Sequence, residues 1–228
     1  MKRTKNAVLI AALFNSLLST ASLATSLEVV STKVVENKSL QQAQANKIEL
    51  MAKLEKIEFF SANFTQKIFD DAGNELQQGS GVLSVSKPNL VHWQTTTPDE
   101  SLIVSDGSNL WFYDPFVEQV SVYTLDNAIA NTPILLITSN DEKLWQDYTV
   151  NKVTDNRYLI SANSENSRVK SLELSFAETV NNVVLSGFNI LDATGQLSVI
   201  SLAPHHQEAT SDLFTFSVPE GVYLDDQR

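Results

Sequence analysis

From Phe60 onward the chain keeps a period of two. Phe60, Ala62, Phe64, Gln66 and Ile68 alternate with Ser61, Asn63, Thr65, Lys67 and Phe69, and Asp70–Asn74 then supplies a turn containing glycine. Side chains two apart share one face of a strand, so this is the pattern of a β-hairpin. It returns at Glu75–Val85, Leu90–Gln94, Ser101–Ser105, Leu110–Asp114 and Val117–Thr124. The joints carry turn residues at Lys87-Pro88-Asn89, Thr97-Pro98-Asp99, Asp106-Gly107 and Asp114-Pro115. Further strands are expected at Asp147–Val153, Arg157–Ala162, Lys170–Phe176, Val183–Leu191, Gln196–Leu202 and Leu213–Val218. About ten short strands at hairpin spacing predict one antiparallel sheet, strongly curved or nearly closed.

Two stretches break that rhythm. Leu40, Ala43, Leu50, Leu54 and Ile57 fall three or four apart, with Lys47 as a polar break and with Ile48 and Met51 widening the stripe. That spacing predicts an amphipathic helix. The second stretch is Asn127–Ser139, where Thr132 suits an N-cap and Pro133 the first helical position. Ile134, Leu135, Leu136 and Ile137 then form a short helix that is apolar on nearly every side. Its surface must be buried, and the mouth of a curved sheet is the place available.

The start of the chain reads as an export signal. Lys2, Arg3 and Lys5 precede an apolar run from Ala7 to Phe14 that resumes at Leu17-Leu18, and Ser22-Leu23-Ala24 offers small residues for cleavage. Residues 1–24 are therefore expected to be removed, 25–39 to form a mobile leader without a clean period, and 40–228 to form a single domain. The chain has no cysteine, which excludes disulfides, thiolate metal sites and a lipid anchor on a residue after the cleavage point. Cleavage removes three bases and no acids from a net charge of −11, leaving −14. That excess argues against nucleic acid and against resting on an anionic membrane.

Catalytic motifs are sparse. The three histidines are His92, His205 and His206, and neither of the last two has metal-ligand spacing to a partner. Gly79-Ser80-Gly81 lies within a strand rather than before a helix, so close packing or a bend explains it better than a phosphate loop. Asp99-Glu100 and Asp225-Asp226 read as solvated acids. Aromatic residues are more telling, because Phe59, Phe60, Phe64, Trp93, Trp111, Phe112, Tyr113 and Phe116 crowd into one third of the chain. A curved sheet that is not completely filled under a helical cover is a lipid-binding cavity.

Several stretches carry a family resemblance. They are Ala62-Asn63-Phe64-Thr65-Gln66-Lys67, Lys87-Pro88-Asn89-Leu90, Pro98–Gly107, Leu110–Gln119, Asn131-Thr132-Pro133, and the tail Pro219-Glu220-Gly221-Val222 with Asp225-Asp226-Gln227. In that order, over Leu54 to Gln227, the chain resembles the LolA family of periplasmic lipoprotein carriers in Gram-negative bacteria. The resemblance implies a mainly β (α+β) fold, an unclosed and strongly curved antiparallel β-barrel covered by a short helical lid. It implies no cofactor, no enzymatic activity and a monomer. The implied partners are acylated lipoproteins, a LolCDE-like inner-membrane ABC transporter that loads the carrier, and the outer-membrane receptor LolB that unloads it.

On that resemblance Phe64, Leu83, Val91, Trp93, Ile103 and Phe116 are expected on the apolar inner surface or its rim. Ile134, Leu135 and Leu136 belong to the lid. Lys87 stands where family members commonly have arginine and is expected to latch the lid, more loosely than a guanidinium would. Val91 replaces a family aromatic. The inward face of each strand stays open at this point, since a slip of one residue inverts it. A lipid or lipoprotein sensor on the same half-barrel, and a hydrolase using His205 or His206, are the rival readings.

Overall fold

The computed structural model describes residues 21–129, 134–139, 141–179, 182–206 and 208–228. The chain divides into two compact units, one ending at Gln41 and the other running from Gln42 to Arg228. Helix α1 spans Ala21–Glu55, so its first part belongs to the first unit and its last turns to the second. The backbone of 25–39, expected as a leader outside the helix, is thus helical. No proline or glycine occurs from Ala21 to Glu55, and nothing in the sequence interrupts the helix. Thr132 and Pro133, the expected cap of the lid, lie outside the described residues, as do residues 1–20 of the expected export signal. Among the described residues no helix is long and apolar enough to cross a membrane.

The second unit is built on one twelve-stranded sheet. Its strands are β1 (Phe59–Phe69), β2 (Glu75–Ser86), β3 (Leu90–Thr97), β4 (Ser101–Asp106), β5 (Asn109–Asp114) and β6 (Gln119–Thr124). After the short helices α2 (Leu125–Ile129) and α3 (Ile134–Thr138) come β7 (Tyr148–Thr154), β8 (Arg157–Ala162), β9 (Val169–Thr179), β10 (Asn182–Asp192), β11 (Leu197–Pro204) and β12 (Tyr223–Asp226). Their spatial order is β12-β6-β5-β4-β3-β2-β1-β11-β10-β9-β8-β7. The order begins and ends on different strands, so the barrel is unclosed, as expected. Two meanders meet where β1 pairs with β11, with Phe64 opposite Leu202.

The pairings are antiparallel except one. β12 runs parallel to β6, with Tyr223 beside Gln119 and Leu224 beside Val120. The sequence pattern missed this strand and placed one at Leu213–Val218 instead. There the backbone makes a 3-10 turn at Ser211–Phe214. Its apolar residues are used for packing rather than for a ladder. Phe214 is buried, and the Phe216 ring lies 5.6 Å from Trp111 and 6.0 Å from Tyr113.

Cross-strand partners point to the same face, so the register settles which residues look inward. One row runs Ala62, Leu83, Trp93, Ile103, Phe112. The next runs Phe60, Val85, Val91, Ser105, Leu110, Tyr123. Leu83, Val85, Val91 and Leu110 share one hydrophobic core with Leu50 and Leu54 of α1 and with Ile134–Ile137 of α3. This is the inner face. The opposite face carries His92, Val104, Trp111 and Val122 and is covered by the segment around Phe214.

Candidate functional site

The inner face is apolar across both meanders. Phe64, Leu83 and Val91 are fully buried there, and Trp93 and Ile103 are half-buried against the same core. Trp93 joins the two halves of the barrel. Its ring meets Phe64 of β1 edge-on at 5.3 Å and Phe188 of β10 at 5.8 Å. The far wall is supplied by Tyr158, Ile160, Leu172, Leu174, Phe176, Phe188 and Ile200. These residues were missed in the sequence reading, although each lies in a strand whose alternation was visible. Reading Tyr158/Ile160 and Leu172/Leu174/Phe176 as period-two pairs finds them.

Gly81 makes room for this packing. A Cβ there would stand 2.8 Å from the Phe64 ring and 1.9 Å from the Gln94 carbonyl oxygen. The β2–β3 register shifts between Ser80 and Gly81. The Gly79-Ser80-Gly81 stretch is therefore a bend with a close approach, as the sequence suggested.

Phe116 lies at the end of the sheet rather than within the packed wall. It is 87% exposed, on the turn between β5 and β6. The carboxylate of Asp114 accepts the Phe116 and Val117 N–H groups and so spends the local sequence on a turn instead of an inward strand position. Leu40 and Ile48, two members of the expected helical stripe, are also exposed, whereas Leu50 and Leu54 are buried.

The cover has two parts that are held differently. The last turns of α1 are tied by polar bonds. Asn46 Nδ2 donates to the Val150 carbonyl at 3.3 Å, and Lys47 Nζ to the Trp145 carbonyl at 2.5 Å. Glu49 accepts from Tyr158 Oη at 2.7 Å and from Lys152 Nζ at 2.9 Å. These bonds hold the Glu49 carboxyl below its usual range, and burial with the neighbouring carboxylate pushes the Tyr158 phenol up. By contrast, α3 is held by packing. Ile134, Leu135, Leu136, Ile137 and Thr138 are all buried. Among the described residues its polar tie to the sheet is the Asn89 N–H bonded to the Thr138 carbonyl at 3.2 Å.

Lys87 ties a different element from the one expected. Its ammonium donates to the Leu54 carbonyl at 2.8 Å, at the C-terminal end of α1, where helix carbonyls lack partners and favour a cation. The described tie to α3 at this corner is made by Asn89, two residues on. Burial lowers the pKa of Lys87, partly offset by the Glu55 carboxylate. Asn89 sits in the left-handed region at φ 60, and its buried Oδ1 has no partner among the described residues.

Among the described residues, openings lie beside core side chains at three places. A cleft of about 660 Å³ lies beside Met51, Leu54, Phe59, Lys87, Ser139 and Trp145. An apolar groove of about 380 Å³ lies among Ile57, Phe60, Ala62, Val183, Leu185 and Leu202. A smaller one of about 220 Å³ is bounded by Ile103, Leu110, Phe112, Tyr123, Ala128 and Arg168. Catalytic geometry is a poor match by comparison. His92 lies on the outer face, where burial lowers its pKa and Nδ1 bonds the Leu213 carbonyl at 3.0 Å. Among the described residues no group of three His, Asp or Glu side chains could hold a metal.

The family model for "Outer membrane lipoprotein carrier protein LolA" matches residues 55–217. Three proteins named outer-membrane lipoprotein carrier protein are similar to the chain over 181 residues. One from Aeromonas salmonicida is 41% identical, covering 78% of this chain and 88% of the relative. One from Actinobacillus succinogenes is 39% identical, covering 79% and 85%. One from Yersinia enterocolitica is 39% identical, covering 79% and 87%. On the match of family model, relatives and unclosed barrel, this chain belongs to the LolA family of outer membrane lipoprotein carrier proteins.

Proposed function

We propose that this protein shields the acyl chains of lipoproteins on the inner face of its sheet and carries them through the periplasm. It accepts them from a LolCDE-like inner-membrane ABC transporter and delivers them to the receptor LolB. Carriers of the LolA family are non-enzymatic chaperones, and this chain is not an enzyme. The observation that carries the reading is the unequal attachment of the cover. A helix that is apolar from Ile134 to Ile137 lies on an apolar wall with a single described polar tie, next to a helix fixed by five.

Magnitudes support the exchange. Exposing Ile134, Leu135, Leu136 and Ile137 costs about 2 kcal/mol each, or roughly 8 kcal/mol for the helix. An acyl chain gains about 0.8 kcal/mol per buried methylene, so about ten methylenes offset lid opening. A lipoprotein with two or three chains exceeds this and binds. The lid returns part of that free energy on release, which keeps delivery feasible.

The test adds the mature protein to energised spheroplasts and probes the supernatant for lipoproteins. A soluble one-to-one complex is expected, and Leu83→Asp, which puts a charge on the inner wall, should abolish it. Folded protein that releases nothing would sink the carrier reading and favour a lipid sensor.

A further inference from the structure

Five large apolar residues exposed to solvent fall at one end of the sheet. Phe116 is 87% exposed, Tyr223 67%, Val117 58%, Leu224 40% and Phe112 38%. They come from β5, the β5–β6 turn and β12, which are joined by main-chain bonds. Tyr223 N–H donates to the Glu118 carbonyl at 2.9 Å, and β12 lies along β6. β12 ends the strand order, so the outer edge of this strand faces no further strand. Leu224 pairs with Val120 on the outer face, and Tyr223 lies on the other, so the apolar surface wraps around the edge.

The frame beneath this surface is tied by hydrogen bonds and an ion pair. Asp114 caps the turn at 2.9 and 3.3 Å. Gln227 N–H bonds the Val122 carbonyl at 2.9 Å, and the Arg228 guanidinium lies 5.8 Å from the Trp111 ring centre and pairs with Asp226. Single exposed apolar side chains are ordinary, but a contiguous group on a fixed frame marks an interaction site. The flank is acidic. Asp114, Glu118, Asp225 and Asp226 lie in this turn and strand and Glu220 in the turn before the strand, and among the described residues Asp226 alone of them carries an ion pair. Carboxylates around an apolar centre repel an anionic lipid surface and attract a protein surface rimmed with lysine and arginine.

We infer that the β5–β6 turn and β12 form a docking edge for a membrane-bound protein that presents an apolar patch rimmed with basic residues. This deepens the carrier reading, since a soluble carrier must meet a membrane protein at each end of its route. The edge lies away from the lid corner at Lys87 and Asn89, so a docked partner leaves α3 free to move.

The probe is a Gram-negative envelope vesicle preparation, set against protein-free vesicles of the lipids extracted from it. Labelled mature protein should float with the native vesicles and not with the lipid vesicles. Val117→Asp and Phe116→Ser should each weaken this at least about tenfold, the loss typical of a central interface residue. Raising the salt to about 0.5 M should weaken it too, because the attraction is partly electrostatic. Ile48→Ser, an exposed apolar site elsewhere, should change nothing. If Val117→Asp fails to fold, Glu118→Lys keeps the turn and should still weaken docking.

All these variants should retain the one-to-one lipoprotein complex, which separates failure of docking from failure of the carrier reading. Flotation unaffected by the variants overturns the inference. So does equal binding to protein-free vesicles, which makes the edge a lipid contact, or a dimer that the variants dissociate, which makes the partner a second copy.

Discussion

Gly81 and Asp106 show how single positions control the sheet, one on each face. Gly81 leaves the space that the Phe64 ring occupies. Gly81→Ala should lower stability by about 1–3 kcal/mol, the usual cost of overpacking, read as a drop in the thermal midpoint. Asp106 organises the β4–β5 turn. Its carboxylate accepts N–H bonds from Ser108 at 2.8 Å and Asn109 at 2.7 Å, and from Trp111 Nε1 at 2.9 Å. Burial alone would raise its pKa, but these donors outweigh burial and hold it below the usual range. A carboxyl that titrates lower in the folded protein than in the unfolded chain stabilises the fold above its unfolded value. That contribution disappears as pH falls from about 4 downward. Urea midpoints between about pH 6 and pH 3 should therefore fall less for Asp106→Ala than for the parent protein. At neutral pH the variant should already be weaker by about 1–3 kcal/mol.

At the scale of elements, the contrast between α1 and α3 makes a prediction. Lys87→Ala should free the end of α1 and leave α3 in place. Amide hydrogen exchange should quicken over residues 50–55, with stability reduced by about 1–2 kcal/mol for the lost bond to a charged donor. Lys87→Arg should restore protection. If exchange quickens over residues 134–138 instead, the latch acts on the lid after all. Eleven of the twelve strands were legible in the sequence, because each buries one face and alternates. β12 was not, since Tyr223–Asp226 is short and exposed on both sides and has no period to read. The lid was legible through Ile134–Ile137, whose apolar run has no exposed face to offer solvent. The partner of Lys87 was not, because a long cation can reach several carbonyls and only packing selects Leu54.

At the scale of the molecule, the placement of wall residues was legible only as a pattern without a sign. Alternation grouped Phe64 with Ala62, and Trp93 with Val91, but the register and the position of α1 decide which group faces inward. The place of Phe116 was hidden for a related reason: it continues an aromatic run, yet Asp114 diverts it into a turn at the end of the sheet. Trp93 carries the prediction at this scale. Its ring touches aromatic rings from both meanders. Trp93→Ala should reduce lipoprotein yield in the spheroplast assay more than Val117→Asp does, with a stability loss of about 3–5 kcal/mol.

The seam between β1 and β11 sets a schedule for the newborn protein. β1 finds β2 across one short turn, but its other neighbour arrives only when nearly the whole chain has been made, as Phe64 beside Leu202 records. Until then the first meander has an open edge and an uncovered apolar wall. Contacts this distant along the chain form slowly. A lipoprotein carrier thus passes through a stage in which its own interior stands open to water.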